Sequence, residues 1–260
     1  MRRKIYFGWV WGMALAVILW TNPTSAADIT IAAASDLNFA FKEIVPLFEK
    51  KSGESLSISF GSSGNFYAQI LNGAPFDLFF SADINYPSKL EEAGLADPGM
   101  LHQYASGRIV IWVPKDSPID VKNLGMKALL EPSVKKIAIA NPNHAPYGMA
   151  AVEAMNHFKI YESVKEKLVL GENVSQAAQF VESGAADLGM IALSLALGPT
   201  LKERGLYWEV PVKQGVVVLK KGKNPKGARD FLLFLQGVEG RNILEKYGFI
   251  TAPWPRVIDQ

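Results

Sequence analysis

The sequence predicts an α/β protein built on a mostly parallel sheet flanked by helices. Three observations carry this reading. Apolar strand-like runs alternate with amphipathic helical runs along almost the whole chain. The strand runs are apolar at nearly every position, as expected of strands buried on both faces. Four of them share one design, an apolar strand, a turn of small residues and then a helix. They are ITIAAASDLNFAFKEI, LSISFGSSGNFYAQIL, KIAIANPNHAPYGMAAVEAM and LVLGENVSQAAQFVESG.

The first segment reads as an export signal rather than as part of the fold. Met1-Arg2-Arg3-Lys4 is followed by an apolar run from Ile5 to Trp20 and then by Thr24-Ser25-Ala26-Ala27. This is a basic start, a hydrophobic stretch and a small-residue cleavage site, with the cut placed after Ala27. The run is about 16 residues, short of the roughly 20 that span a bilayer. Removal of residues 1–27 leaves 233 of 260 residues and lowers Lys+Arg from 27 to 24 against 25 Asp+Glu, a net −1 instead of +2. That balance offers nothing to nucleic acid or to a membrane surface. The chain has no cysteine, hence no lipid attachment and no disulfide. The expected compartment is the periplasm.

Strands are then expected at about 29–34, 56–60, 77–81, 107–113, 136–140, 168–171, 187–191 and 215–220. Helices are expected at about 37–51, 64–72, 86–93, 123–130, 147–158, 161–166, 174–183, 225–236 and 239–247. The first helix carries Phe41, Ile44, Val45 and Phe48 on one stripe, with Gly53 after its end. Pro46 inside it is expected to kink it. The strands SGRIVIWVP (106–114) and QGVVVLKK (214–221) flank a self-contained middle segment. They are read as crossovers between two lobes, one of residues 28–107 plus 217–260 and one of 108–216. A cleft between lobes is a common ligand site.

The four turns supply the candidate chemistry. The first N–H groups of a helix have no intrahelical partner, and the helix dipole is positive there. Such ends hold anions without lysine or arginine. One turn alone reads as an ordinary cap; four on one chain point to a small oxyanion. Ser35 offers a hydroxyl. Asp36 is expected to give only its N–H and to turn its side chain into helix capping. A carboxylate about 4 Å from a unit anionic charge costs roughly 4 kcal/mol at an effective dielectric of 20. In Gly61-Ser62-Ser63-Gly64 the glycines admit a close approach and the serines give hydroxyl donors. Pro146 fits the first helical position, so Tyr147 and Gly148 are expected to present free N–H groups. The Tyr147 phenol either aims at the ligand or packs on a neighbouring helix. Val174 offers its N–H at the start of its helix. His102, His144 and His157 have no metal-ligand spacing, and neither a nucleophile elbow nor a dinucleotide fingerprint is present. No catalytic residue and no free-cation site is expected.

These turns, in this order, resemble the periplasmic molybdate-binding proteins of ABC importers. The likeness runs from AAASDLNFAF through GSSGNFYAQILNGAPFDLFFSAD, NPNHAPYGMAA, ENVSQAAQFV and SGAADLGMIALS to EKYGF. It implies the two-lobed type II periplasmic binding fold. It implies molybdate or tungstate as ligand, bound as an oxyanion through neutral donors, with no cofactor. It implies a monomer that delivers to an ABC permease and ATPase complex in the inner membrane. The ligand positions it implies are Ser35, Asp36, Ser63, Tyr147 and Val174. One position departs: many members have a tyrosine after the last lobe-two strand where this chain has Ala192, and Tyr147 is expected to supply that hydroxyl. A sulfate or phosphate carrier on the same fold, and a secreted phosphoryl-transfer or hydrolytic enzyme, are the competing readings.

Overall fold

In the computed structural model, residues 28–114, 116–199 and 210–251 are described. The expected export signal at 1–27 lies outside them. Nine strands are found among these residues. They are β1 Ile29–Ala34, β2 Leu56–Gly61, β3 Leu78–Ser81, β4 His102–Trp112, β5 Ile137–Ala140, β6 Leu168–Gly171, β7 Leu188–Ala192, β8 Val210–Val218 and β9 Ile250–Thr251. The helices are α1 Asn38–Ser52, α2 Ser63–Leu71, α3 Asn85–Glu92, α4 Val121–Leu124, α5 Pro146–His157, α6 Tyr161–Val164, α7 Val174–Glu182, α8 Leu193–Ala196, α9 Pro225–Gln236 and α10 Val238–Lys246. Short 3₁₀ segments precede α1 at Ser35–Leu37 and follow α4 at Gly125–Leu130 and α6 at Lys165–Lys167.

The sheet order is β2-β1-β3-β8-β4-β7-β5-β6, with β9 beside β4. β1 lies parallel to β2 and β3, and β5 lies parallel to β6 and β7. Between these two parallel sets run β4 and β8, antiparallel to each other and to their outer neighbours. The two crossover strands therefore pair with one another, and the two halves share one continuous sheet. Both are longer than their apolar runs suggested. β4 starts at His102 rather than 107, and β8 starts at Val210 rather than 215. The extra residues are more polar, and their extended form comes from the ladder between Gln103–Ile109 and Val210–Gly215. Tertiary pairing here overrides a weak local signal.

Side-chain alternation splits the core into three parts. Phe80 points to one face of the first half, where it meets Phe41 at 5.2 Å and Phe231 at 6.0 Å between ring centres. Phe48 closes on Phe231 at 5.1 Å, edge to face. This aromatic cluster clamps α1 and α9 onto β1 and β3. Phe79, one residue earlier, points to the other face and packs with Phe66, Ile70 and Leu90 of α2 and α3. The second half has its own core, around Trp112, Ile137, Ile139, Met155, Val181 and Met190. α1 runs unbroken through Pro46, whose ring lies on the exposed side. There the carbonyl that it frees can reach water.

One carboxylate in each half, Asp77 buried and Asp187 exposed, ties neighbouring segments together. Asp77, fully buried in GAPFDLFF, accepts from the Thr30 N–H (2.7 Å), the Thr30 hydroxyl (2.7 Å) and the Asn224 N–H (2.6 Å). It links β1, β3 and the start of α9. In the second half Asp187 accepts from the Lys135 and Lys136 N–H groups at 2.7 and 2.8 Å. Replacement of Phe231 by alanine removes the ring shared by Phe41, Phe48 and Phe80. It is expected to cost about 3–5 kcal/mol in chemical denaturation, whereas a loss below about 1 kcal/mol would contradict this packing.

Candidate oxyanion site

The two parallel sets run in opposite directions, so the four strand–turn–helix units point their carboxyl ends at one another, and their turns meet. Ser35 and Asp36 come from the turn after β1, Ser62 and Ser63 from the turn after β2, Ala145 to Tyr147 from the turn before α5, and Asn173 and Val174 from the turn before α7. Together with Ala34, Gly61 and Ala82 they line one small cavity. Its free space is about that of a single water molecule, too small for an organic substrate. None of the lining residues is lysine, arginine or histidine.

Each turn is locked so that its donors point inward. Ser63 is the first residue of α2 and fully buried. Its Oγ accepts the Ala82 N–H at 2.9 Å, which leaves the hydroxyl proton to donate elsewhere. Ser35 is pinned across the site by Ser175, whose hydroxyl donates to the Ser35 carbonyl at 2.9 Å and whose N–H approaches Ser35 Oγ at 3.4 Å. Asn173 caps α7 by accepting the Gln176 N–H at 3.1 Å, so Val174 sits at its first position. Pro146 opens α5, and Tyr147 follows with an N–H that has no intrahelical partner. The Gly148 N–H is not free as expected: it donates to the Ala145 carbonyl at 2.9 Å. Only one of the two amides expected there remains for a ligand.

The sides of the cavity touch directly. The Gly64 N–H donates to the His144 carbonyl at 2.9 Å, and Ser62 Oγ lies 2.9 Å from His144 Nδ1. A Cβ at Gly64 would stand 2.6 Å from that carbonyl oxygen, so the absence of a side chain lets the turns meet. Asn65 donates to Glu172, and His144 Nε2 lies 3.7 Å from the same carboxylate. His144 is thus a bridge over the cavity rather than part of its lining.

Asp36 departs most from expectation. Its side chain caps no helix. It is fully buried, and its Oδ2 accepts from the Tyr147 hydroxyl at 3.0 Å and from Gln214 Nε2. Gln214 Nε2 also lies 3.1 Å from the Tyr147 oxygen, and Tyr104 donates to Gln214 Oε1. Ser194 holds the Asp36 carbonyl at 2.7 Å. Gly107 makes room for this knot, since a Cβ there would overlap the Tyr147 hydroxyl and Gln214. Burial lifts the Asp36 pKa to about 6, although the bonds from Gln214 and Tyr147 and the amides of Asp36 and Leu37 pull the other way. Burial, and then the Asp36 carboxyl, hold both the Tyr147 and Tyr104 phenols well above their usual range. The Tyr147 phenol is therefore committed to Asp36 and Gln214.

Ser35, Asp36, Ser63, Tyr147 and Val174 are all brought to the one cavity. Sequence reasoning missed Gln214, Tyr104 and the Ala82 amide. Gln214 was detectable in principle as a polar side chain entering an apolar strand. Ala82 acts through its backbone and leaves no side-chain trace.

The chain matches the model of the bacterial extracellular solute-binding proteins over residues 29–250. It is 39% identical to the molybdate-binding protein ModA of Rhodobacter capsulatus over 245 residues, which is 92% of this chain and 94% of that one. It superposes on the solved periplasmic molybdate-binding protein of Azotobacter vinelandii with a TM-score of 0.80 at 33% identity, over 86% of this chain and all of that one. The sulfate-binding protein SubI of Mycobacterium tuberculosis superposes with a TM-score of 0.71 at 17% identity, a likeness of fold alone. Relatives that pair this fold with such cover are binding proteins for transport, not enzymes. The chain belongs to the bacterial extracellular solute-binding proteins and, among these, to the ModA family of molybdate-binding proteins.

Proposed function

We propose that this protein captures molybdate, and with it tungstate, in the periplasm and delivers it to an ABC permease and ATPase complex in the inner membrane. The observation that carries this reading is the convergence of four helix-start turns on a compact cavity lined by no basic side chain. The relatives' names supply the ligand class. Ser35 and Ser63 serve as hydroxyl donors, and Asp36, Tyr147 and Val174 as N–H donors. A dianion needs no counter-charge when donors saturate its oxygens and water is excluded, because hydrogen bonds to a charged acceptor are roughly twice as strong as neutral ones. Fixed turns set the cavity size and so discriminate against the smaller sulfate.

The sheet halves then act as two lobes, residues 28–107 plus 217–260 and residues 108–216, hinged through β4 and β8. The contacts of His144 with Ser62, Gly64 and, through Glu172, Asn65 hold the closed form. The protein works as a monomer after its export signal is cut behind Ala27.

Isothermal titration of the mature protein with molybdate, tungstate, sulfate and phosphate at neutral pH tests this. Tight binding of the first two and none of the others is expected. Binding of sulfate or phosphate instead would overturn the ligand, and turnover of a generic phosphate ester would overturn the carrier role. Ser63→Ala is expected to weaken molybdate binding by about 1–3 kcal/mol through one lost donor; unchanged affinity would remove Ser63 from the site.

A further inference from the structure

We propose that the Asp36 carboxyl binds the oxyanion as a neutral acid, its Oδ1–H donating to an anion oxygen, so that each anion captured brings one proton with it from solvent. The inference rests on the oxyanion reading above and deepens it.

The geometry separates the two carboxyl oxygens. Oδ2 is saturated by Tyr147 and Gln214. Oδ1 is equally buried and has no hydrogen-bond partner among the described residues, while Asp36 forms part of the cavity lining. A buried carboxyl oxygen without a donor does not hold charge well, and a second anion beside it makes the charged form worse. A proton on Oδ1 removes both difficulties. It also turns the group from an acceptor into the donor that an oxyanion requires.

The surroundings fix which oxygen takes the proton. Tyr147 on α5 and Gln214 on β8 can both donate to Oδ2, and Gln214 is itself oriented by the Tyr104 hydroxyl on β4. Both phenols stay protonated at any working pH, because burial and the neighbouring carboxyl push them up. From α8 comes only the Ser194 hydroxyl, on the Asp36 carbonyl. No cationic side chain acts on the carboxyl to keep it charged. His144, the nearest histidine of the lining turns, is turned to Ser62 and Glu172. Even with the cavity free of anion, burial places the Asp36 pKa near 6, so a modest push suffices.

This proton also decides specificity. An ionised Asp36 would accept the O–H of a hydrogen phosphate and favour it. A protonated Asp36 leaves that O–H facing another donor, and so rejects it.

The test is titration with molybdate in HEPES and in Tris, whose ionisation heats differ, from pH 6 to pH 8. Close to one proton taken up per anion is expected at pH 8. The dissociation constant should rise about fifty-fold between pH 6 and pH 8, as follows from a free-state pKa near 6. Asp36→Asn reproduces the protonated acid, with its carbonyl toward Tyr147 and Gln214 and its NH₂ toward the anion. It should bind without proton uptake and with affinity flat across that range. Infrared difference spectra of the wild type should gain a protonated-carboxyl stretch on loading, absent in Asp36→Asn. Molybdate binding with no proton uptake would overturn the inference. So would proton uptake that persists in Asp36→Asn, since the anion itself would then carry the proton. In both cases the oxyanion reading would survive; failure to bind any oxyanion would instead end that reading.

Discussion

An anion buried in a protein must replace every hydrogen bond that it leaves behind in water, and a cavity free of lysine and arginine must do so with neutral groups alone. Helix starts are the densest source of such donors, because their first amides have no partner within the helix. This constraint accounts for the repeated strand–turn–helix design. Each unit brings one helix start to the same cavity, and each turn contributes one or two donors. Bonds behind the turns, such as the Ala82 amide on Ser63 and the Ser175 hydroxyl on the Ser35 carbonyl, leave the inward-facing protons uncommitted. Within each half the donors are therefore held in fixed positions, which lowers the ordering cost of binding.

The sheet makes this convergence possible. Two parallel sets of strands present their carboxyl ends toward each other because β4 and β8 pair between them. The same two strands carry Tyr104, Gly107 and Gln214 into the knot around Asp36. The backbone that joins the halves is thus also the backbone that anchors the one acidic group in the cavity. The distant aromatic cluster of Phe41, Phe48, Phe80 and Phe231 holds α1 rigid, and α1 follows directly on the turn that presents Ser35 and Asp36.

Much of this was legible in the sequence. β1, β6 and α9 lie at the expected residues: the two strands are compact apolar runs that end at small-residue turns, and α9 is a long amphipathic run opened by Asn224-Pro225 and closed by Gly237. The five expected ligand residues meet at one cavity, because each belongs to a short turn whose geometry is local. The rest depended on contacts between distant residues. The two-residue β9 and the single-turn α8 have no periodicity to detect. Asp36 read as a cap because the partners that claim its carboxylate lie 111 and 178 residues away. The carboxylate in GAPFDLFFSAD has no local sign of its role, because the groups that Asp77 joins, on β1 and at the start of α9, are distant in the sequence.

The central claim is that neutral donors from all four turns surround one oxyanion. A crystal structure of the mature protein loaded with molybdate tests it most directly, since the molybdenum marks its own position. The account predicts one molybdenum in the cavity between Ser35, Ser63, Tyr147 and Val174. Its oxygens should lie about 2.7–3.0 Å from the two hydroxyls and from the amides of Tyr147 and Val174. Molybdenum elsewhere, or an arginine or lysine drawn in to meet it, would contradict the account.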